Sequence, residues 1–367
     1  HCFLYFSKLN WFTTLLPDYV VQYTMPKRNV NIKDVAAKAN VHPSTVSRVL
    51  NPETRSMVSA VVVERVTRIA EEMGYSRSSL AYGLRTGRTH TVGVLVPDLT
   101  NPMFPPIIRG IERTLAQEGF IAILADSEND QENEKAIVES LKSRNVDGLI
   151  LATALRVDSV VDTCVEQRIP LVLVNRTIQA RSVTAVINDD EHGIDLAVSH
   201  LVDLGHKSIA YIGGPQNTTT GHDRYWAFKK LLKAKRFKSH SELIRNCNAF
   251  TETAGRRAFL SILRTGRHFT AVVAANDLLA LGCYDALLEF GLECPSEISV
   301  TGFNDMPFVD RLSPPMTSIH IPQREIGVQA AQLLLERIRS PESPVRTVNL
   351  LPDLVVRGST SPPVDSK

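Results

Sequence analysis

"VNIKDVAAKANVHPSTVSRVLN", residues 30–51, holds the start of a compact helical module. From Asn31 to Ala39 the apolar residues Ile32, Val35, Ala36 and Ala39 follow the i, i+3, i+4, i+7 spacing of one helix face, and Asn31 is placed to cap it. After the short "ANV", Pro43 suits the first turn of a second helix whose inner face is Val46, Val49 and Leu50. A third helix follows. Ser59 can cap it, Val62, Val66, Ile69, Ala70 and Met73 form its buried stripe, and Gly74 ends it. Helices this short are unstable without mutual packing, so the segment is expected to fold as a helix-turn-helix domain with the second helix as its reading element.

Charge separates this module from the rest of the chain. Residues 25–90 carry eleven Lys/Arg against five Asp/Glu, a balance of +6, whereas residues 91–367 carry 29 against 33, a balance of −4. A basic head on a mildly acidic body suits a nucleic-acid-binding module attached to a regulatory domain. The 367 residues and 43% apolar composition allow two or three domains with a sizeable core. The five cysteines (Cys2, Cys164, Cys247, Cys283 and Cys294) are scattered, with no CxxC and no His at ligand spacing, which points to neither a disulfide framework nor a zinc site. A reducing cytoplasmic location fits best, and no apolar run is long enough to span a bilayer. Residues 1–24 do not begin with Met, and Lys8, Asn10 and Pro17 interrupt their apolar stretches, so they make a poor signal peptide. With "MPKRNVNIKDV" starting at Met25, they are taken as an extension foreign to the native protein.

Beyond Arg88 the pattern changes to short, nearly continuous apolar runs: "TVGVLVPD", "FIAILAD", "DGLILA", "PLVLVN", "SIAYIGG", "TAVVAAND" and "ISVTGFND". Between them lie stretches long enough for helices, among them 105–118, 131–144, 192–204, 277–290 and 322–338. Strands buried on both faces and joined by helices make parallel sheets of the α/β class, and about 270 residues of this pattern predict two lobes. Many runs end in polar residues: Asp98, Asp126, Asn175, Asn276, Asp277 and Asn304. Ligands bind at the carboxyl ends of strands in such sheets, so these residues are expected around a cleft.

The opening stretch resembles the head of the lactose-repressor (LacI/GalR) family of bacterial transcription regulators. The likeness continues in order through "PDLTNPMF", "GLIL", "HLVDLGHKSIAYIGGP", "AANDLLALG", "ISVTGFND" and "SPPMTSIHIP", covering residues 29–360. The resemblance implies an all-α helix-turn-helix head and hinge helix, followed by a two-lobed, periplasmic-binding-protein-like core of parallel sheets flanked by helices. The boundaries expected are 1–24 for the extension, 25–76 for the DNA-binding domain, 77–90 for hinge and linker, 91–360 for the effector-binding and dimerisation domain, and 361–367 for a tail. Lobe 1 would take about 91–188 plus 319–346, and lobe 2 about 189–318 plus 347–360.

The resemblance also assigns roles. Pro43, Ser44 and Arg48 match the positions that read bases; a guanidinium such as that of Arg48 can bond one guanine bidentately, whereas Pro43 offers only shape and apolar contact. Thr45, Ser47 and His42 suit phosphate contacts or capping. In the hinge, Leu84 matches the residue wedged into the minor groove, with Ala81 beside it. Gly83 inside that helix, Arg77-Ser78 where Pro-Asn is usual, and Val61-Val62 where Thr-Arg is frequent are departures. In the core, Phe104, Asn175, Arg224, Phe250, Asn276 and Asn304 match the effector-binding positions. Asn175 and Asn304 stand where sugar-binding members carry Asp, and with Arg224 retained the pocket is expected to be less negative, favouring an acidic sugar derivative. Each position has a structural alternative: Asn276 and Asp277 as helix caps, Asn304 as a turn residue, Phe250 as core.

The partners implied are double-stranded operator DNA bound as a homodimer, and a small effector that is a sugar, a sugar acid or, as the lesser alternative, a purine. No cofactor, metal or membrane is called for. A periplasmic binding protein would share the core but not the basic head. An enzyme would need a catalytic motif, and no GxSxG, Walker, HExxH or strand-borne GxGxxG motif is present.

Overall fold

The computed structural model describes residues 13–16, 19–22, 30–75, 88–179, 183–235, 237 and 240–364. The chain divides into two compact units, residues 1–86 and 87–367.

In the first unit, Thr13–Leu16 (β1) and Tyr19–Gln22 (β2) pair antiparallel. Helix α1, Ile32–Ala39, starts with a reciprocal cap: Asn31 Oδ1 accepts from the amides of Lys33 and Asp34, and the Asn31 amide donates to Asp34 Oδ2 at 2.9 Å. Asn40, in the left-handed region at φ 51°, closes it. Helix α2, Pro43–Val49, begins at His42, whose Nδ1 accepts from the Ser44 amide at 3.2 Å. A short helix, α3 (Pro52–Arg55), precedes α4 (Ala60–Glu72). Ser59 sits at the N-cap of α4, but its hydroxyl makes no capping bond. Val35, Ala36, Ala39, Val46, Val49, Val66, Ile69 and Ala70 form one buried cluster, with Leu50, Val62 and Met73 half-buried against it. The amphipathic spacing therefore turns into a packed core of eight small and β-branched side chains.

The second unit contains two six-stranded sheets. The first holds β3 (Thr91–Val96), β4 (Ile121–Asp126), β5 (Gly148–Leu151), β6 (Leu171–Val174), β7 (Ala185–Asn188) and, near the chain's end, β13 (Thr347–Leu350), all parallel in the order β13-β7-β6-β5-β3-β4. The second holds β8 (Ile209–Gly213), β9 (Ile244–Asn246), β10 (Ala271–Ala274), β11 (Ser299–Asn304), β12 (Thr317–His320) and β14 (Asp353–Val355), in the order β14-β12-β11-β10-β8-β9, with only β14 antiparallel. Most strands are buried on both faces, as their apolar runs require. β4 is an edge strand and leaves Ile121 70% exposed.

Helices flank both sheets. α5 (Phe104–Gln117), α6 (Gln131–Ser143), α7 (Ser159–Glu166) and α12 (Gln323–Arg339) belong with the first sheet. α8 (Asp190–Asp203), α9 (Thr219–Ala234), α10 (Glu252–Leu263) and α11 (Asp277–Phe290) belong with the second. The chain passes between lobes three times, at residue 189, at 321–322 and at 351–352. The last two passages correct the expected lobe boundaries. Residues 347–350 pair with β7 in the first lobe, and 317–320 pair with β11 in the second. These strands are too short and too mixed in polarity for their sheet to be assigned from pattern.

The same helix-packing device occurs in each lobe. A Cβ on Gly110 of α5 would lie 2.4 Å from the Arg324 carbonyl oxygen, and one on Gly282 of α11 would lie 2.2 Å from that of Glu252. Backbone thus meets backbone where α5 crosses α12 and where α10 crosses α11.

Candidate functional site

Both sheets have a switch point, between β3 and β5 and between β8 and β10, where neighbouring strands send their connections to opposite faces. The carboxyl ends of the two sheets face one cleft. Its space, open mouth included, is ≈ 520 Å³. All six core residues singled out from the sequence line it: Phe104, Asn175, Arg224, Phe250, Asn276 and Asn304. Of the other polar strand ends, Asp98 lines it as well, but Asp126 and Asp277 do not. Asp126 instead accepts from the amides of Leu99 and Glu128. Asp277 is fully buried, accepting from the Ser318 hydroxyl and the Met306 amide, and burial pushes its carboxyl up to about 7.

The six residues are held in different ways. Asn276 caps α11 through Oδ1, which accepts from the Leu279 amide at 2.9 Å. Asn175 and Asn304 both take positive φ, 63° and 106°, a conformation that Asn tolerates better than most residues. Each has a buried amide oxygen with no hydrogen-bond partner. Phe104 starts α5 and is buried. The Phe250 ring lies against Gly214, where a Cβ would come within 2.1 Å of it.

Arg224 is 2% exposed. Its Nε and Nη2 both lie 2.8 Å from Asp190 Oδ1, its Nη1 donates to the Ala275 carbonyl at 2.6 Å, and its guanidinium stacks 3.6 Å above the Phe303 ring. Asp189 caps α8, accepting from the His192 amide, whereas its neighbour Asp190 answers the charge of Arg224. Burial still pushes the Asp190 carboxyl up to about 6, against the pull of that guanidinium.

Sequence reasoning passed over Arg176. It also lines the cleft, is buried, and has an Nε without a partner. Burial lowers its pKa to about 10, while the neighbouring Glu134 is pushed up to about 7, again by burial. A charged residue two positions past the buried run "LVLV", just after Asn175, was the available signal. The expectation of a less negative pocket had been tied to Arg224. Since Asp190 answers that charge, Arg176 is the cation that bears on the cleft.

In the first unit, Ser44 and Arg48 are exposed on α2, and Pro43, Thr45 and Ser47 are half-buried. The Ser44 Oγ lies 2.8 Å from His42 Nδ1, so its hydroxyl donates to the capping ring. The Thr54 hydroxyl donates to the Arg48 carbonyl and ties the end of α2 to α3. Ala81 and Leu84 lie outside the described residues, as do Arg77, Ser78 and Gly83. Among the described residues no cluster of His, Cys, Asp or Glu is suited to a metal ion, and no helix is long and apolar enough to cross a membrane.

Comparison with known proteins agrees with both units. Residues 31–78 match the family described as bacterial regulatory proteins, lacI family, and residues 198–360 match a periplasmic binding protein-like domain. The chain is 32% identical over 327 residues to the HTH-type transcriptional repressor PurR of Vibrio vulnificus, covering 89% of this chain and 97% of the relative. It is 31% identical over 344 residues to the ribose operon repressor of Escherichia coli, covering 89% and 99%. Among solved structures it is similar to the lac repressor dimer bound to operator and the anti-inducer ONPF, with a TM-score of 0.82 and 27% identity over 91% of this chain and 100% of that one.

Proposed function

The chain belongs to the LacI family of bacterial regulatory proteins, a family of ligand-responsive DNA-binding transcriptional repressors and not of enzymes, and from that premise we propose that it binds a pseudo-palindromic operator as a homodimer and changes its grip when a sugar or sugar acid occupies the interlobe cleft. Residues 25–76 would form the DNA-binding domain, 77–90 the hinge, and 91–360 the effector-binding and dimerisation domain. On α2, Arg48 reads a guanine edge, Pro43 and Ser44 fit the neighbouring base edges, and Thr45 and Ser47 contact phosphates. Leu84, with Ala81, wedges into the minor groove at the operator centre.

One observation carries the effector class. Six side chains from strand ends, helices and a loop converge on one cleft, and two of them, Asn175 and Asn304, present buried amide oxygens without partners. Such an acceptor costs free energy until a donor reaches it, and the hydroxyls of a sugar are donors at closely spaced positions. The Phe250 ring offers an apolar face for the ring of the sugar. Arg176, with its unpartnered Nε, favours a carboxylate on the ligand, which selects sugar acids over neutral sugars. The name of the ribose operon repressor among the relatives agrees with a sugar-type effector.

Occupation of the cleft draws the lobes together about the three passages at 189, 321–322 and 351–352. Coupling to DNA requires only that the ligand bind the closed and open arrangements with different affinity. The test is a thermal-shift screen of the full chain against sugars, sugar acids and purines, followed by fluorescence anisotropy on inverted-repeat duplexes with and without the compound that raises Tm. A sugar or sugar acid that both stabilises the protein and changes operator affinity supports the reading. Stabilisation by purines alone, or absence of preference for any inverted repeat, refutes it.

A further inference from the structure

A second cavity lies beyond the Arg224–Asp190 ion pair. Arg224 lines the effector cleft, Asp190 lines this second space, and of all the lining residues only Asn175 and that pair's partition are common ground. With its mouth the cavity measures ≈ 930 Å³. We propose that it binds a small organic cation, a primary ammonium on a short apolar stem. This assignment does not depend on the effector reading above.

Three observations point to that chemistry. Among the described residues, Asp189, Asp190, Glu191 and Asp223 line the cavity against one cation, Lys230. Lys230 pairs with Glu191, and Arg224 answers Asp190 from the far side, so the field inside remains negative. Asn188, at the end of β7, lines the same cavity and is only 5% exposed, yet neither its amide oxygen nor its amide nitrogen has a hydrogen-bond partner. A buried amide in this state is stabilised by a ligand whose ammonium donates to the oxygen.

Trp226 supplies the third observation, because its indole lines the cavity while remaining 52% exposed. Aromatic faces attract cations through the ring quadrupole, and the Lys229 ammonium already lies 5.4 Å from this ring's centroid. Ile187 and Ala227 add apolar wall beside it. An inorganic cation would gain nothing from the apolar wall of Ile187 and Ala227. An alkylammonium gains from both the carboxylates and the apolar wall.

Trp226 also makes the test direct, since the chain has two tryptophans and Trp11→Phe leaves it as the sole reporter. The full-length variant is titrated with 1-aminobutane at constant ionic strength, with 1-butanol as the neutral isostere, while indole fluorescence is followed. The expected result is a saturable change with the amine and none with the alcohol. Asp223→Asn should raise the half-saturating concentration about fivefold, as the loss of one partly exposed charge implies. Asn188→Leu should abolish the response while leaving the urea midpoint at or above that of the parent, because an unpartnered amide is replaced by an apolar side chain of similar size. No saturable change with the amine, an equal response to the alcohol, or either variant titrating like the parent would overturn the proposal.

Discussion

Replacing Gly327 by alanine is expected to destabilise the second unit by about 2 kcal/mol, although alanine is the better helix former. Gly327 lies inside α12 where that helix crosses α5. A Cβ there would sit 2.1 Å from the Ile107 carbonyl oxygen and 2.9 Å from the Ile111 amide nitrogen. Ordinary non-bonded contact is about 3.5 Å, so the helices would have to part by roughly an ångström. The atoms in the way are backbone and cannot rotate aside, which places the cost at the upper end of the overpacking range, about 3 kcal/mol. The gain in helix propensity returns about 1 kcal/mol. Gln323, one turn earlier, donates to the Asn304 carbonyl, so the disturbance should also reach the floor of the effector cleft. Urea unfolding measures the effect as a lower midpoint at unchanged slope. Gly119→Ala is the control: nothing lies within 4 Å of its Cβ, but its φ of +76° predicts a loss of about 1 kcal/mol for a conformational reason alone. If Gly327→Ala proves as stable as the parent or more so, propensity is acting unopposed and the close approach of the helices is wrong.

Arg48→Ala should leave thermal stability unchanged, since the side chain is exposed, while reducing discrimination at one operator base pair by roughly 1–3 kcal/mol; anisotropy on base-substituted duplexes measures it, and undiminished discrimination counts against the role given to Arg48. Asn175→Asp keeps a residue that tolerates the positive φ but places a carboxylate beside Arg176; it should shift preference from a sugar acid toward the matching neutral sugar by about tenfold in relative Kd, read by calorimetry. The pH dependence of stability follows from Glu134, whose carboxyl is raised from 4.5 to about 7 by burial. Between those values the native state holds a proton that the unfolded chain has released, so this contribution is fully present below 4.5 and is lost as pH rises through 7. The urea midpoint should therefore fall from pH 5 to pH 8, and Glu134→Gln should make that fall shallower whatever it does to the absolute stability; an unchanged slope would show that Glu134 titrates normally.

The helical head was readable because its information is local. Asn31, the stripe Ile32-Val35-Ala36-Ala39, Pro43 and the stripe of α4 each act within one or two turns. The strand runs were readable for a similar reason: "TVGVLV" and "LVLV" are apolar on both faces because both faces are covered. β7, β9, β12, β13 and β14 were not singled out, being three or four residues long, several of them only half-buried. Their sheet membership depends on pairing with residues far away in sequence. Asn276 shows the limit from the other side, since the sequence offers capping and cleft lining as alternatives, and only the structure shows that the residue does both.

Sequence alone determined the class of protein: a basic helix-turn-helix with Arg48 on its outer face, joined to a parallel α/β body whose strand ends carry amides and carboxylates. Helix caps, apolar periods and charge balance are set by neighbours in the chain. Only the tertiary structure decided which charges face the cleft, because that depends on partners brought from distant segments. Asp190, 34 residues from Arg224, cancels its charge, leaving Arg176 as the cation at the cleft and opening a second, acidic cavity behind the pair.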